Sequence, residues 1–158
     1  MENKLKTEGM KGMSYNKFFL SLLISFFLMY GIMFLNVDSA EHIYLSTSRF
    51  YMAFLMVASM AVVMMLLMGG MYQNKKWNSL IVAAGVVVFI TVVFLLRNQT
   101  FISDRQYMKA MIPHHSSAIL NSKNADIKDA EVKKLAVQII ASQEKEIAEM
   151  KASLKRLR

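Results

Sequence analysis

Two adjacent histidines in the C-terminal third of the chain offer donor groups for metal chemistry. His114 and His115 follow Met111 and Pro113 closely. At about 100° per residue, Met108, Met111 and His115 fall on one stripe of a helix, and His114 lies off that stripe. Because Pro113 kinks or starts a helix, either imidazole could point inward. The spacing therefore predicts that thioether sulfur and imidazole nitrogen share one helix face.

A second set of donors follows farther along the chain. Gln143, Glu146 and Met150 share a face of a second predicted helix, and in an antiparallel hairpin that face meets the first set. Thioether plus imidazole suits monovalent copper or silver, whereas carboxylate plus imidazole suits zinc or divalent copper. We expect His114 and His115 to be the main ligands, methionines to supplement them, and Gln143 and Glu146 to be auxiliary ligands or to orient the others. The predicted metal ligands are Met108, Met111, His114, His115, Gln143, Glu146 and Met150.

Ordinary packing accounts for the same residues without a metal. An adjacent histidine pair is more often at a surface or in a satisfied core, and methionine commonly fills cores. Gln143 in an apolar seam can set the register of two helices, and Glu146 can face water. Two of the three histidines of the chain lie in this one segment together with several methionines. That concentration favours a metal site over packing alone.

The elements that must position these residues are two helices. Residues 101–158 contain one proline and no glycine. Ser103 and Asp104 can cap a helix running to about Ser122, and Asp129 can cap a second helix that reaches the C-terminus. Two helices alone bury little surface, so the hairpin is expected to pair with a second copy in a four-helix bundle. The apolar seam of the second helix consists of Val132, Ala136, Ile139, Gln143, Ile147, Met150, Leu154 and Leu157.

Three uncharged stretches precede the hairpin. They cover residues 18–37, 50–72 and 77–96, and each meets the requirement of roughly 20 residues for a transmembrane helix. We therefore predict an all-α protein of the lipid bilayer, with a cytoplasmic tail over residues 1–17, a three-helix transmembrane region over 18–97 and an extracytoplasmic hairpin over 98–158. Lysines cluster in the tail and in the loop before the third span, which predicts a multi-pass protein of the inner membrane with its N-terminus in the cytoplasm and its C-terminal domain in the periplasm.

Composition excludes several classes of function. The net charge is +8, but the basic residues of the hairpin alternate with acids at helical spacing, so we expect no nucleic-acid partner. The absence of cysteine excludes disulfides, thiolate metal ligands and thiol catalysis. No nucleophile elbow, phosphate loop or H-E-x-x-H motif is present, and no Glu-x-x-His pair supplies a di-iron centre. We expect no enzyme.

Methionines also recur in the second predicted span. Met52, Met56, Met60, Met64 and Met68 are spaced by four residues and form a ridge that winds slowly around a helix. They could pass soft metal ions along the membrane, or they could pack as flexible apolar side chains. Packing is favoured, because the three spans contain no acid, histidine or cysteine to assist a cation.

The loop between the first two spans carries Asp38, Glu41 and His42. In the predicted topology this loop lies on the same side of the membrane as the hairpin. Its side chains could supplement a metal site, but ordinary interfacial loop residues are the favoured interpretation.

The motif residues resemble a known family. M-I-P-H-H-S-S-A-I at 111–119, followed by I-I-x-x-Q-x-x-E-I-x-x-M at 139–150, is similar to the bacterial domain-of-unknown-function family 305. The resemblance implies an extracytoplasmic, ferritin-like helical bundle with a suspected role in handling copper or other heavy metals. Many members have a methionine where Leu120–Ser122 stands here, many have a tryptophan near 152–154, and longer members repeat the motif. These departures favour a site shared between subunits. The residues marked by the resemblance are Met111, His114, His115, Gln143, Glu146 and Met150.

Together these features predict a membrane-anchored metal-binding protein. It would sequester or deliver copper or silver on the extracytoplasmic side in heavy-metal resistance, as a homo-oligomer and with a metal transporter or metallochaperone as a candidate partner. The alternative is a structural or accessory subunit whose hairpin docks onto a partner transporter without metal.

Overall fold

The computed structural model describes residues 14–157, and within this range the chain is helical, without strands. The predicted all-α class is therefore confirmed for the described residues. Two 3₁₀ segments, Ala40–His42 and Gly69–Met71, lie in connections. Most of the predicted N-terminal tail lies outside the described residues. The five α-helices are α1 (Tyr15–Ile32), α2 (Thr47–Met68), α3 (Lys75–Arg97), α4 (Asp104–Asn124) and α5 (Ala130–Arg156).

The first three helices are long and apolar enough to cross a membrane. Within their most apolar 18-residue windows, only 6%, 28% and 11% of the residues are buried in the protein. Large side chains such as Phe27, Leu67 and Ile90 are more than half exposed. Apolar surface of this extent needs a non-aqueous cover, which indicates that the protein associates with a membrane.

The first span is shorter than its sequence predicts. The prediction covered 18–37, but α1 ends at Ile32 and tight turns follow at 33–36. The guanidinium of Arg49 donates a hydrogen bond to the carbonyl oxygen of Met33. Because a helix end leaves carbonyl groups unsatisfied, a donor from another segment stabilises the termination at this point. The other two spans agree with their predictions within a few residues.

The chain divides into two compact units, and the first comprises residues 14–29 and 53–94. Its core is formed by five buried residues: Phe18, Ala61, Met65, Tyr72 and Ile81. Met64 and Met68, which belong to the predicted methionine ridge, pack against this core. Gly85 lies so close to α2 that an added Cβ would come within 2.7 Å of Val62 Cγ2.

The side-chain amide of Asn78 stabilises the α2–α3 turn of the first unit. Asn78 Nδ2 donates to the carbonyl oxygens of Gly69 at 2.9 Å and of Tyr72 at 3.3 Å. The hydroxyl of Tyr15 lies 2.6 Å from Asn78 Oδ1. The partly buried Asn78 side chain is thus paired at both ends, whereas the buried hydroxyl of Tyr72 has no hydrogen-bond partner among the described residues.

The second unit comprises residues 30–52 and 95–157 and contains α4 and α5, which pack against each other. Arg105 Nη1 donates to the Leu157 carbonyl oxygen at 2.8 Å, and Lys123 Nζ lies 3.8 Å from Glu144 Oε1. The start of α4 therefore contacts the end of α5, and the end of α4 contacts an earlier part of α5, so the two helices are antiparallel. Asp129 caps α5 as predicted, since its side chain accepts from the Val132 backbone N–H at 2.9 Å. The core residues of this pair are Met108, Ile112, Ile119, Ile147 and Leu154.

Candidate functional site

The inward face of α4 positions one of the two histidines. Ile112, Ser116 and Ile119 are buried at spacings of four and three residues, so this stripe of α4 faces the interior. The next residue before Ser116 is His115, whose side chain is 12% exposed. His114 points elsewhere and is exposed. The two rings lie 6.2 Å apart at an angle of 59°. Adjacent histidines therefore occupy different environments.

His115 faces the carboxylate of Glu146 on α5. The distance between His115 Nδ1 and Glu146 Oε2 is 3.1 Å, an ion-pair distance. The N–H direction is not aligned for a hydrogen bond, so Nδ1 is a buried nitrogen without a hydrogen-bond partner. The other oxygen of Glu146, Oε1, accepts a hydrogen bond from Ser142 Oγ at 2.8 Å. Ser142 thus fixes the carboxylate that adjoins the imidazole.

Burial keeps this imidazole neutral. The pKa of His115 is lowered by burial; Glu146 opposes the shift and His114 adds to it. A neutral ring has a free lone pair, which is the form that binds a metal. A carboxylate beside Nδ1 favours the tautomer that leaves this lone pair on Nε2.

A cavity of about 300 Å³ adjoins these groups. We call it the thioether cavity, because two methionines lie in its wall beside the imidazole. Its polar wall contains two carboxylates and neither lysine nor arginine among the described residues. The lining residues are Tyr107, Met111, His115, Glu146, Glu149, Met150 and Ser153.

The donors in this wall fit a soft cation better than a hard one. Among residues 14–157, no group of three or more His, Asp or Glu side chains could hold a metal ion. Zinc in a structural site takes four ligands, almost always in a tetrahedral arrangement. Monovalent copper and silver accept thioether sulfur, which Met111 and Met150 supply together with the His115 nitrogen.

The other predicted ligands lie outside the thioether cavity. Met108 is buried in the core between α4 and α5. Gln143 is half-buried and is not among the lining residues. His114 lines a different cavity, described next. The structure thus brings four of the seven predicted ligands together: Met111, His115, Glu146 and Met150.

A larger cavity of about 960 Å³ lies on the other side of Met111. We call it the Arg49 cavity, since Arg49 is its one arginine or lysine and no Asp or Glu lines it within the described range. Ile32, Met52 and Leu96, at the ends of α1, α2 and α3, contribute apolar walls. Tyr107 and Met111 line both cavities.

The role of Ser116 is not predictable from its sequence context. Its side chain is fully buried, and its Oγ accepts a hydrogen bond from the Asp38 backbone N–H at 2.8 Å. The same Oγ lies 2.9 Å from His42 Nδ1. This serine, which follows the histidine pair, therefore holds the loop between α1 and α2.

Ion pairs complete the attachment of this loop. Lys123 Nζ lies 2.9 Å from Asp38 Oδ2, and this hydrogen bond raises the pKa of Lys123. Lys151 Nζ lies 3.5 Å from Glu41 Oε2. Burial lowers the pKa of His42, and Lys151 adds to the shift. Asp38, Glu41 and His42 thus contact the helix pair rather than the wall of the thioether cavity.

Comparison with known proteins places the chain in a family. The family model for the domain of unknown function DUF305 matches residues 52–154, about two thirds of the chain. The chain belongs to the DUF305 family. The DUF305 match begins within α2, so it includes more than the α4–α5 pair that carries the motif residues.

A curated relative is known from a virus. The chain is 40% identical over 119 residues to the uncharacterized protein L153 of Acanthamoeba polyphaga mimivirus. The alignment covers 74% of this chain and 76% of the relative. Similarity therefore reaches beyond the bacteria that the sequence motif suggests. No solved structure matches the chain.

Proposed function

We propose that this DUF305 protein is a membrane-anchored metal-binding protein that sequesters or delivers monovalent copper or silver. One observation carries the proposal. The imidazole of His115, whose Nδ1 lies 3.1 Å from the Glu146 carboxylate, shares a cavity with the thioethers of Met111 and Met150. Thioether sulfur and imidazole nitrogen beside a negative charge form a soft-cation site.

Each residue has a distinct role in this proposal. His115 is the nitrogen ligand, and Met111 and Met150 are sulfur ligands. Glu146 balances the charge of the cation and holds the imidazole in one tautomer, in the manner of carboxylates behind ligating histidines. Zinc or divalent copper is the less favoured cargo, because no group of three or more His, Asp or Glu side chains converges among the described residues.

The proposed location follows from loop charges. Lys75 and Lys76 in the α2–α3 loop and four lysines of the N-terminal segment support a topology in which both segments are on the cytoplasmic side of the inner membrane. With three crossings, the α4–α5 pair then lies on the extracytoplasmic side. Metal held there would be kept from the cytoplasm, which agrees with a role in metal tolerance.

Oligomerisation is a second part of the proposal. Val132, Leu135 and Val137 on α5 are 49%, 53% and 63% exposed. Exposed apolar side chains on a two-helix unit can be buried by a second copy in a four-helix bundle. The alternative function, a subunit that docks onto a transporter without metal, would use the same residues. Both functions require these exposed apolar side chains, but only the metal-binding function requires His115.

The adjacent histidines make the test sharp. Full-length protein in detergent is titrated with silver and with monovalent copper, and bound metal is measured after desalting. His115→Ala should weaken binding by more than about tenfold, a loss seen even for groups behind the ligands. His114→Ala, a matched change at the neighbouring position, should weaken it less. Equal binding by His115→Ala and the unsubstituted protein would refute the site.

A second pair of variants tests the sulfur ligands. Met150→Leu preserves most of the side-chain volume but removes the thioether, so silver binding should fall several-fold while the fold is retained. Met71→Leu makes the same change in the connection between α2 and α3, at a residue that does not line the cavity, and should have no effect. No metal binding by the unsubstituted protein, in detergent or in lipid, would favour the docking function.

A further inference from the structure

The Arg49 cavity has the wrong charge for a cation. Arg49 and His114 are its nitrogen-bearing titratable groups, and within residues 14–157 no carboxylate lines it. A guanidinium is always charged at physiological pH, so the cavity is positive. Although Met33, Met52 and Met111 are in its wall, a metal ion there would meet the charge of Arg49 without compensation.

Two contacts hold the guanidinium of Arg49 in place. Its Nη1 donates to the Met33 carbonyl oxygen, and its Cζ lies 4.4 Å from the centre of the Phe34 ring. A guanidinium has five N–H donors, and the bond to Met33 uses one of them. Held on an aromatic ring, the group is pre-organised, and its planar fork suits the oxygens of phosphate or carboxylate.

The remaining wall is suited to an acyl chain. Ile32 ends α1, Met52 lies in the second turn of α2, and Leu96 lies in the last turn of α3. All three helices are long and apolar enough to cross a membrane, so these ends lie where the hydrocarbon region meets the headgroups. Leu35 and Leu120 add further apolar surface. The volume of about 960 Å³ is at the upper end of the range for small-molecule pockets and has room for a headgroup and part of an acyl chain.

We propose that the Arg49 cavity binds one anionic amphiphile, a lipid or fatty acid whose phosphate or carboxylate pairs with Arg49 and whose acyl chain lies against the apolar helix ends. This site is separate from the thioether cavity, and the proposal does not require metal binding. Basic pockets between membrane helices are known to bind anionic lipid headgroups on the cytoplasmic side, and the same charge attraction would act here.

Native mass spectrometry of the full-length protein in detergent tests the site. The probes are dioleoyl phosphatidylglycerol, the zwitterionic dioleoyl phosphatidylcholine, oleate and inorganic phosphate. Phosphatidylglycerol should be retained about tenfold more strongly than phosphatidylcholine, as one charge-assisted pair provides. Retention of oleate as well would identify a carboxylate as sufficient, and retention of phosphatidylglycerol alone would identify the phosphate headgroup. Displacement of the lipid by millimolar inorganic phosphate would show that the acyl chain adds nothing to binding, and would overturn the proposal.

Three variants locate the bound lipid. Arg49→Gln should lose about tenfold in phosphatidylglycerol retention, whereas Arg97→Gln, an exposed arginine outside the lining, should retain it. Ala110 also lines the cavity, and Ala110→Trp keeps Arg49 while it puts an indole into the wall, so it should weaken retention of both phosphatidylglycerol and oleate while circular dichroism shows an unchanged helix content. If Arg49→Gln fails to fold, Ala110→Trp alone decides. Undiminished lipid retention by Ala110→Trp would overturn the proposal.

Discussion

The two cavities of the second unit are opposite in charge although they share a wall. The thioether cavity has two carboxylates, and the Arg49 cavity has a guanidinium and no described carboxylate. Between them stand Tyr107 and Met111 on α4. The adjacent histidines face apart, so that His115 belongs to the negative cavity and His114 to the positive one. One turn of helix thus presents similar residues to two cavities of opposite charge, and under the two proposals this charge would decide which kind of ligand each cavity binds.

Charge reversal in the thioether cavity should have the largest effect. Glu146→Lys replaces the carboxylate beside His115 with a cation, so silver affinity should fall by at least about a hundredfold in an equilibrium titration, since a repulsion replaces an attraction at short range. Glu131→Lys makes the same charge change at the start of α5 and should lower affinity only slightly. Phosphatidylglycerol retention in the Arg49 cavity should not fall. If Glu146→Lys weakened both silver binding and phosphatidylglycerol retention, the charge of one cavity would affect binding in the other.

Removal of the Ser116 hydroxyl should destabilise the second unit. Ser116→Ala leaves the Asp38 N–H and His42 Nδ1 without their buried partner, at a cost of about 1–3 kcal/mol in the free energy of unfolding. Ser117→Ala removes only an exposed contact with Asn36 and should cost less than about 1 kcal/mol. Denaturant unfolding in detergent measures both. Equal stability of the two variants would show that the loop is not held by Ser116.

Acidification should separate the two cavities. Burial lowers the pKa of His115 below the ordinary value of about 6.5, so the ring stays neutral at pH 7 and protons compete with the metal only at lower pH. Silver affinity should be constant from about pH 7.5 to 6.5 and should then decline by at most about tenfold per pH unit. Arg49 remains charged throughout, so phosphatidylglycerol retention should not weaken. Silver affinity that is lost already above pH 7 would contradict the neutral imidazole.

Substitution at the shared wall should have the smallest effect. Met111→Leu removes a sulfur ligand but keeps an apolar side chain of similar volume, so silver affinity should fall by about threefold to tenfold and lipid retention should not change. Silver affinity and lipid retention are measured on the same sample of the variant and compared with those of the unsubstituted protein. A loss of lipid without a loss of silver would place Met111 in the Arg49 cavity alone.

Much of the fold is predictable because its causes are local. Uncharged runs of about 20 residues identify α1 to α3, and Asp129 shows by its residue type where α5 begins. Helical periodicity also puts Met108, Met111 and His115 on one stripe of α4. These features depend on residues within a few turns of one another, so the sequence contains them directly.

The remainder depends on partners distant in sequence. Arg49 ends α1 through the Met33 carbonyl, and Ser116 binds Asp38 from 78 positions away. Periodicity left open which imidazole faces inward at Pro113, and only the packing of α5 against α4 selects His115. Val132 has the spacing of the predicted apolar seam but is half exposed. The α5 residues that are buried in the core with α4, Ile147 and Leu154, lie farther along the helix.

The common wall of the two cavities would couple the proposed occupants if both cavities are filled at once. Tyr107 and Met111 cannot turn toward one cavity without changing the room in the other. By thermodynamic reciprocity, whatever factor an ion imposes on the affinity for an amphiphile, the amphiphile imposes on the affinity for the ion. The composition of the surrounding bilayer would then set how tightly the protein retains its metal, and metal load would in turn select the lipids that accompany it.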